Sequence, residues 1–265
     1  MDSQFLATRR AFDRVAAAYD GPLGNNAIIQ KMRAQVMQII EHTFPRGARL
    51  LDLGCGTGID AAYLTSRNYD VTGLDVSPAM VARTNERLER SGNGGRAMTL
   101  GIHELERLEP GEFDGAYSNF GALNCLPELC TVSSALAAKL KPGGRLVAVV
   151  MGRYCPWELG LYTLRGNWQR ARLRLEPGVL PVPLNGEIVW TRYYTPREFS
   201  REFAAEFVPE GWRSLALLTP PPYLAHQYEK FPRLFNLLDR ADYILRDKPF
   251  FREAGDHFVM VLRKK

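Results

Sequence analysis

The chain has 265 residues, of which 46% are hydrophobic and 24% are charged, and its formal net charge is +5. These values are ordinary for a soluble globular protein, and no run approaches the roughly 20 apolar residues of a membrane-spanning helix. The basic excess is too small to favour nucleic-acid binding, and the first residues lack the basic start and apolar core of a secretory signal. We therefore expect a cytoplasmic protein that acts on a small molecule, with its oligomeric state left open.

The four cysteines are Cys55, Cys125, Cys130 and Cys155. They form no C-x-x-C pair, so the sequence predicts neither a zinc site nor a redox motif, and we expect no metal. Small buried or loop thiols in a reducing compartment are the simpler interpretation.

The most informative stretch joins a buried strand over 50–53 to a helix over 59–67 through the loop Gly54-Cys55-Gly56-Thr57-Gly58. Glycine lacks a Cβ, so this loop can turn sharply and let a ligand lie against its backbone. Such turns bind nucleotides in doubly wound folds, but Ile59 occupies the third small position of the dinucleotide pattern. Asp52, just before the loop, would repel a pyrophosphate and attract an ammonium group. The stretch favours a ligand that carries an amino acid.

A second strand is predicted over 69–75 and ends in Asp75, where a carboxylate can accept hydrogen bonds from both hydroxyls of a ribose. Ser77-Pro78 predicts the start of a helix, with serine as the cap and proline at the first helical position. Further strands are predicted over 97–104, 113–118 and 144–151. The T-x-x-E pattern from Thr195 predicts another capped helix, and the last strands are predicted over 212–218 and 256–262.

Two motifs, Leu51-Asp52-Leu53-Gly54-Cys55-Gly56-Thr57-Gly58 and Leu74-Asp75-Val76-Ser77-Pro78, resemble the class I S-adenosylmethionine-dependent methyltransferase family. The resemblance extends over roughly the first 150 residues. It implies an α/β fold with a doubly wound, Rossmann-like, seven-stranded sheet whose last strand is antiparallel, and S-adenosylmethionine (SAM) as the cofactor. The extra length predicts lid insertions after strands five and six.

Four segments follow from this reading. Residues 1–44 are expected to form N-terminal lid helices, and 45–151 the SAM-binding core. Residues 152–194 form an insertion over the acceptor, and 195–265 complete the sheet with a helical insertion at about 219–252. Both insertions are rich in aromatic residues and leave from the carboxyl edge of the sheet, where ligands bind. We expect both to roof an apolar acceptor pocket.

Residue by residue, the resemblance implies that Asp52, Gly54 and Gly56 line the methionine end of the cofactor. Asp75 would hold the ribose hydroxyls, with Val76 beside the adenine. Other positions come from the lid segment around residue 19 and from the loop after the fourth strand. The predicted cofactor-binding set is Tyr19, Asp52, Gly54, Cys55, Gly56, Gly58, Asp75, Val76, Ile102, His103, Asn119 and Phe120.

One position departs from the family pattern. Ile102 stands where members usually carry an acid that binds the adenine amino group, so His103, Glu104 or the backbone alone would supply that contact. A hydroxyl or amine acceptor would also benefit from a general base. We rank His257, at the start of the last strand, first for this role and His103 second.

The sequence thus predicts a SAM-dependent methyltransferase for a small, lipophilic or aromatic acceptor, without identifying that acceptor or the atom methylated. Two alternatives stay open. A SAM-binding accessory protein without transfer activity is motivated by Ile102 and by the lack of an assured base, and the glycine loop leaves a dinucleotide-dependent oxidoreductase. The basic cluster Arg165, Arg170, Arg172 and Arg174 is interpreted either as a surface for an anionic substrate or membrane, or as a solvated helix face.

Overall fold

The computed structural model describes residues 3–22, 24–92, 94–109, 111–184 and 186–265. Their helices are α1 (Ser3–Val15), α2 (Ala27–Thr43), α3 (Ile59–Thr65), α4 (Pro78–Ser91), α5 (Cys130–Lys139), α6 (Pro156–Leu164), α7 (Trp168–Arg172), α8 (Pro196–Glu202), α9 (Ala225–Lys230) and α10 (Pro232–Leu245). Their strands are β1 (Arg49–Leu53), β2 (Asp70–Asp75), β3 (Arg96–Thr99), β4 (Phe113–Ser118), β5 (Leu140–Met151), β6 (Val179–Leu184), β7 (Glu187–Arg192), β8 (Phe207–Leu215) and β9 (His257–Lys264).

Seven of these strands form one sheet in the order β3-β2-β1-β4-β5-β9-β8. Strands β1 to β5 pair in parallel, whereas β9 is antiparallel to both β5 and β8. Leu53 lies opposite Leu74, so the residues that follow β1 and β2 emerge side by side at the carboxyl edge. The predicted doubly wound sheet with an antiparallel last strand is confirmed.

Helices cover both faces of the sheet. On one face, Phe199, Phe203 and Phe207 form a chain of ring contacts with centroid distances of 5.0 and 5.8 Å. On the other, α2 buries Val36 and Ile40, which belong to the same core cluster as the strand residues beneath them. Each fully buried side chain of this size contributes about 1.5–3 kcal/mol. These two layers hold the carboxyl edge of the sheet in place.

Local signals fix the helix boundaries near the cofactor loop. The Ser77 side chain accepts the backbone N–H of Met80 over 3.1 Å, and Pro78 begins α4, as predicted. The predicted capping box of α8 also forms, because Thr195 and Glu198 exchange side-chain-to-backbone hydrogen bonds. Such caps satisfy N–H groups that have no partner within the helix.

Three predicted strand boundaries are wrong. The third strand ends at Thr99, because the Glu104 carboxylate accepts the Gly101 N–H over 3.2 Å and closes a 3-10 turn over Ile102–Arg107. Strand β5 begins at Leu140, before its glycine pair. Strand β8 spans Phe207–Leu215 rather than 212–218, with a register shift after Pro209. A proline, which has no N–H to donate, is tolerated there because β8 is an edge strand.

Both insertions leave from the region of the carboxyl edge. The first, after β5, carries α6, α7 and the separate antiparallel hairpin β6-β7, whose second strand packs against α1. The second, after β8, carries α9 and α10. Within the described part of the chain, no helix is long and apolar enough to cross a membrane.

Candidate active site

A cavity of about 250 Å³ opens at the carboxyl ends of β1, β2 and β4. Most of the residues predicted to bind the cofactor meet on its walls, although they come from segments far apart in the chain. Those that line it are Tyr19, Gly54, Gly56, Asp75, Val76, Ile102, His103, Asn119 and Phe120. The predicted cofactor residues that do not line it are Asp52, Cys55 and Gly58, and His257, predicted as a base, does not line it either.

The glycines of the loop have different structural tasks. All three have positive φ angles, at +85° for Gly54, +54° for Gly56 and +77° for Gly58. A Cβ on Gly58 would lie 2.7 Å from the Thr84 side chain, so this glycine lets the loop pack against α4. A Cβ on Gly56 would meet no atom within 4 Å. The backbone at Gly56 is therefore open to the cavity.

Asp75 is held between two backbone donors. The N–H of Gly56 donates to Oδ2 and the N–H of Ser77 to Oδ1, both over 2.9 Å. Burial nevertheless raises the pKa of Asp75 to about 6, against the lowering effect of these two donors. A carboxylate in this state gains free energy from further hydroxyl donors, because hydrogen bonds to the charged form stabilise it.

Asp52 lies beneath the loop instead of on the cavity wall. It is 2% exposed, and the hydroxyl of Tyr117 donates to its Oδ2 over 2.9 Å. Burial, followed by the nearby Asp60 carboxylate, raises the pKa of Asp52 well above its usual range. Its predicted contact with the cofactor stays a prediction.

An ion pair that no sequence pattern indicated lies next to this group. Arg33 of α2 donates from Nε to Oδ1 of Asp60 over 2.6 Å, and Asn119 donates from Nδ2 to Oδ2 of the same carboxylate over 2.9 Å. The other side-chain atom of Asn119, Oδ1, is buried and has no hydrogen-bond partner among the described residues. A buried acceptor without a donor is costly, so a donor on a bound ligand would satisfy it.

Phe120, the next residue, has a φ of +53°, which is unusual for a residue with a side chain. Its ring lies between the cavity, which it lines, and His257, whose ring centroid is 6.1 Å away in an edge-to-face arrangement. His257 Nδ1 lies 2.9 Å from Oδ2 of Asp256. His257 therefore lies behind Phe120 as seen from the cavity. Its role as a base stays a prediction.

Of the residues considered for the adenine, Ile102 and His103 line the cavity and Glu104 does not. The His103 ring stacks on Phe5 of α1 with a centroid distance of 3.7 Å. Burial lowers the pKa of His103, and the nearby Glu104 carboxylate opposes this only in part. This burial favours the neutral form of the imidazole.

The N-terminal segment forms a cover that is tied to the cofactor loop. Phe5 and Phe12 of α1 line the cavity together with Tyr19. Asp13 accepts a hydrogen bond from the Ser77 hydroxyl over 2.6 Å. Asp20 accepts hydrogen bonds from the Thr57 hydroxyl and from Arg87. No sequence signal linked these acids to their distant partners.

The hairpin β6-β7 completes the roof. Val182, Leu184 and Val189 line the cavity, and Glu187 pairs with Arg14 of α1 over 3.0 Å. No described residue of 219–252 lines this cavity. The first insertion thus lines this cavity, whereas α9 of the second packs against α2, contrary to the expectation that both roof one pocket. That this cavity receives the acceptor stays a prediction.

A buried ion cluster lies behind the site. Cys155, Glu158 and Asp256 bring side-chain atoms capable of binding a metal within 4.8 Å of one another. Arg174, however, donates to Glu158 over 2.8 and 2.9 Å and to Asp256 over 2.7 Å, so its guanidinium supplies the compensating charge. Arg174 is only 8% exposed, so it belongs neither to a solvated face nor to a steering surface.

Comparisons with known proteins agree with this architecture. The model of a methyltransferase domain family matches residues 50–144. A malonyl-[acyl-carrier protein] O-methyltransferase from Halorhodospira halophila is 30% identical over 219 residues, which cover 74% of this chain and 69% of that protein. The chain belongs to the class I SAM-dependent methyltransferases.

Further relatives differ in their acceptors. A ubiquinone biosynthesis O-methyltransferase from Dechloromonas aromatica is 25% identical over 191 residues, covering 72% of this chain and 73% of that protein. The structure of a Burkholderia thailandensis 1,6-didemethyltoxoflavin-N1-methyltransferase superposes with a TM-score of 0.61 at 19% identity, covering 100% and 92% of the two chains. The chain spans only part of these relatives: it covers 24% of the length of an uncharacterized Synechococcus protein, to which it is 39% identical over 102 residues, and 73% of the Dechloromonas protein.

SAM, the cofactor of this methyltransferase family, fits the residues present. Gly56 leaves open space against its backbone, and Asp75 offers carboxylate oxygens for hydroxyl donors. The unpartnered Oδ1 of Asn119 can accept from an ammonium group. The cavity thus has polar groups for the ribose and for the amino-acid part of SAM. It also has the apolar side chain of Ile102, which suits the flat adenine ring.

Proposed function

We propose that this methyltransferase transfers a methyl group from SAM to a small, neutral, lipophilic or aromatic acceptor. The observation that carries the proposal is the character of the cavity wall beyond the predicted cofactor residues. That part of the wall is mainly apolar; its members include Leu126, Met151, Val182, Leu184 and Val189. Apolar walls of this kind favour acceptors whose transfer out of water costs little free energy.

The charges of the site support a neutral acceptor. Asp75 is the one carboxylate among the described residues that line the cavity, and no lysine or arginine lines it. A charged acceptor group buried against this wall would lose its hydration without gaining a partner. Beyond the predicted cofactor residues, the polar side chains that line the cavity are those of Thr8, Cys125 and Thr191, which suit a hydroxyl or a ring heteroatom.

SAM supplies an electrophilic methyl group, so the task of the protein is chiefly to align the acceptor and exclude water. Burial raises the pKa of Tyr19 to about 12 and that of Cys125 to about 12. Both groups therefore keep their protons at neutral pH and act as donors or packing groups. His103 lies on the cavity wall, and burial lowers its pKa and favours the neutral imidazole, which is able to take a proton from an acceptor hydroxyl. His257 is the second candidate.

The relatives' names are compatible with this proposal. One relative is named for ubiquinone biosynthesis and another for a malonyl-[acyl-carrier protein], and the solved neighbour is named for a heteroaromatic compound. These acceptors share no single scaffold. The apolar wall of this chain favours the lipophilic and aromatic kinds over a free dicarboxylic acid.

A transfer assay with two matched variants tests the proposal. Val189 is 5% exposed and lines the cavity, whereas its neighbour Ile188 is 44% exposed and does not. With methyl-labelled SAM and a panel of phenols, quinols, heteroaromatic compounds, small acids and amines, we expect label only in lipophilic products. Val189→Asp should abolish that transfer and keep the affinity for S-adenosylhomocysteine (SAH), while Ile188→Asp should change neither. Methylation of only hydrophilic acids or amines would contradict the proposal.

A further inference from the structure

Helix α10 carries an apolar stripe that faces solvent. Leu234 is 51% exposed, Leu237 63% and Ile244 66%. Their spacings of three and seven residues put them on one side of the helix. Phe231 at its N-terminus is 50% exposed, and Phe250, shortly after its end, is 82% exposed. Single exposed apolar residues are common, but an aligned group of this kind marks an interaction surface.

This stripe is not the face that holds α10 to the protein. The opposite side buries Phe235, whose ring stacks on Tyr228 with a centroid distance of 5.3 Å. That side also buries Asp242, which accepts the backbone N–H groups of Leu218 and Thr219 over 2.6 and 3.1 Å. The helix is thus fixed on one side, and its exposed apolar side is available for a partner.

The exposed charges next to the stripe that lack an ion-pair partner among the described residues are positive, since the exposed Asp247 is paired with Arg213 and Arg246. Lys230, Arg233, Arg240 and Lys248 are exposed and make no ion pair with any other residue that the structure describes. The acid in the middle of the helix, Asp239, is already paired with Lys31. Unpaired cations beside exposed leucine, isoleucine and phenylalanine favour a partner that is apolar and negatively charged at once.

We propose that α10 docks this protein on the surface of an anionic lipid bilayer. The helix would lie in the plane of the interface, with the stripe among the upper acyl chains and the cations at the phosphate groups. Its 14 residues are too few to cross a bilayer. Charge complementarity favours the bilayer over a second copy of the chain, since two copies of this surface would bring like charges together. The proposal does not depend on the identity of the methyl acceptor.

Vesicle co-sedimentation tests the proposal on the full chain. We expect binding to vesicles of phosphatidylglycerol and phosphatidylcholine, and little binding to phosphatidylcholine alone. Leu237→Glu combined with Ile244→Glu should weaken binding at least about tenfold, because two apolar anchors become charged. Arg233→Glu combined with Arg240→Glu should weaken it about tenfold or more and remove its dependence on salt.

A matched control is Val208→Glu, which places a charge on the 40% exposed Val208 of the edge strand β8, and which should bind vesicles like the parent. Thermal melting of every variant checks that it folds. Absence of binding to anionic vesicles, or equal binding by the parent and the α10 variants, would overturn the proposal. So would a concentration-dependent dimer that Leu237→Glu dissociates, because the stripe would then belong to a contact between copies. None of these outcomes bears on methyl transfer.

Discussion

Gly56 donates its backbone N–H to the carboxylate of Asp75 over 2.9 Å, which joins the loop after β1 to the end of β2. The two features that the sequence suggested separately therefore form one unit. The backbone of the glycine is open to the cavity. The buried carboxylate beside it has oxygen atoms that can accept further hydrogen bonds. A ligand with adjacent hydroxyl groups would be recognised by both at once.

Replacement of the acid should weaken cofactor binding. Hydrogen bonds to charged groups contribute about 1.5–3 kcal/mol each, so Asp75→Asn should lower the affinity for SAH by roughly tenfold to a hundredfold in calorimetry. Asp70, at the exposed start of the same strand, offers the matched control Asp70→Asn. Equal affinities in the two variants would rule out Asp75 as a cofactor contact.

The affinity for SAH should also depend on pH. The pKa of Asp75 in the free protein is raised to about 6, so its ionised fraction falls as the pH drops below that value. If the ionised form binds, the affinity falls about tenfold between pH 7 and pH 5, and binding releases a proton near pH 6. Asp75→Asn should show a nearly flat profile over this range. A flat profile in the parent protein would contradict this interpretation.

A Cβ can be added at Gly56 without a steric clash inside the protein. Gly56→Ala should cost about 1 kcal/mol of folding stability, because a residue with a Cβ is disfavoured at positive φ, and it should abolish SAH binding. Gly92, at the end of α4, has a φ of +65° and equally open surroundings, so Gly92→Ala serves as the control. The control should melt like Gly56→Ala and bind SAH normally. Normal binding by Gly56→Ala would mean that no ligand lies against this loop.

Arg174 should be essential for stability. Its removal leaves Glu158 and Asp256 close together and buried, so Arg174→Met should lower the free energy of unfolding by about 3–5 kcal/mol. Arg172, two residues earlier, is exposed, and Arg172→Met should change it by less than about 0.5 kcal/mol. Denaturation by urea gives both values. A small effect at Arg174 would show that the cluster tolerates two unpaired acids.

Two histidines are candidates for the general base. His103→Ala and His257→Ala are the two test variants, and His42→Ala, at an exposed position on α2, is the control. Loss of a general base lowers kcat by about 10²–10⁴-fold and removes the acidic limb of the pH profile. We expect this in one of the two test variants and not in the control. Full turnover by both across the pH range would exclude His103 and His257 as the base.

Much of the sheet could be predicted because its signals are local. The strand β4 was predicted over 113–118 and spans those residues, and Ser77-Pro78 begins α4 as expected, since a cap and a proline act within one turn. The fold class was implied by the family resemblance that the motifs around the glycine loop and Asp75 carry. The predicted strand boundaries were wrong where the chain departs from regular patterns, as at Gly101 and at Pro209.

The parts of the site that escaped prediction depend on contacts between distant residues. Arg174 looked like part of a surface cluster because Asp256, its partner, lies far along the chain. The pairing of Arg33 with Asp60, and the positive φ of Phe120, likewise arise only when α2, α3 and the loop after β4 come together. Aromatic content led us to expect that both insertions roof the pocket, whereas among the described residues only those of the first line the cavity.

Titration of the protein with SAH, alongside NADH, tests the central claim most directly. We predict saturable binding of one SAH per chain, lost in Gly56→Ala and weakened in Asp75→Asn, with no binding of NADH. Failure to bind SAH, or binding of NADH at the same cavity, would contradict the assignment of this site to SAM.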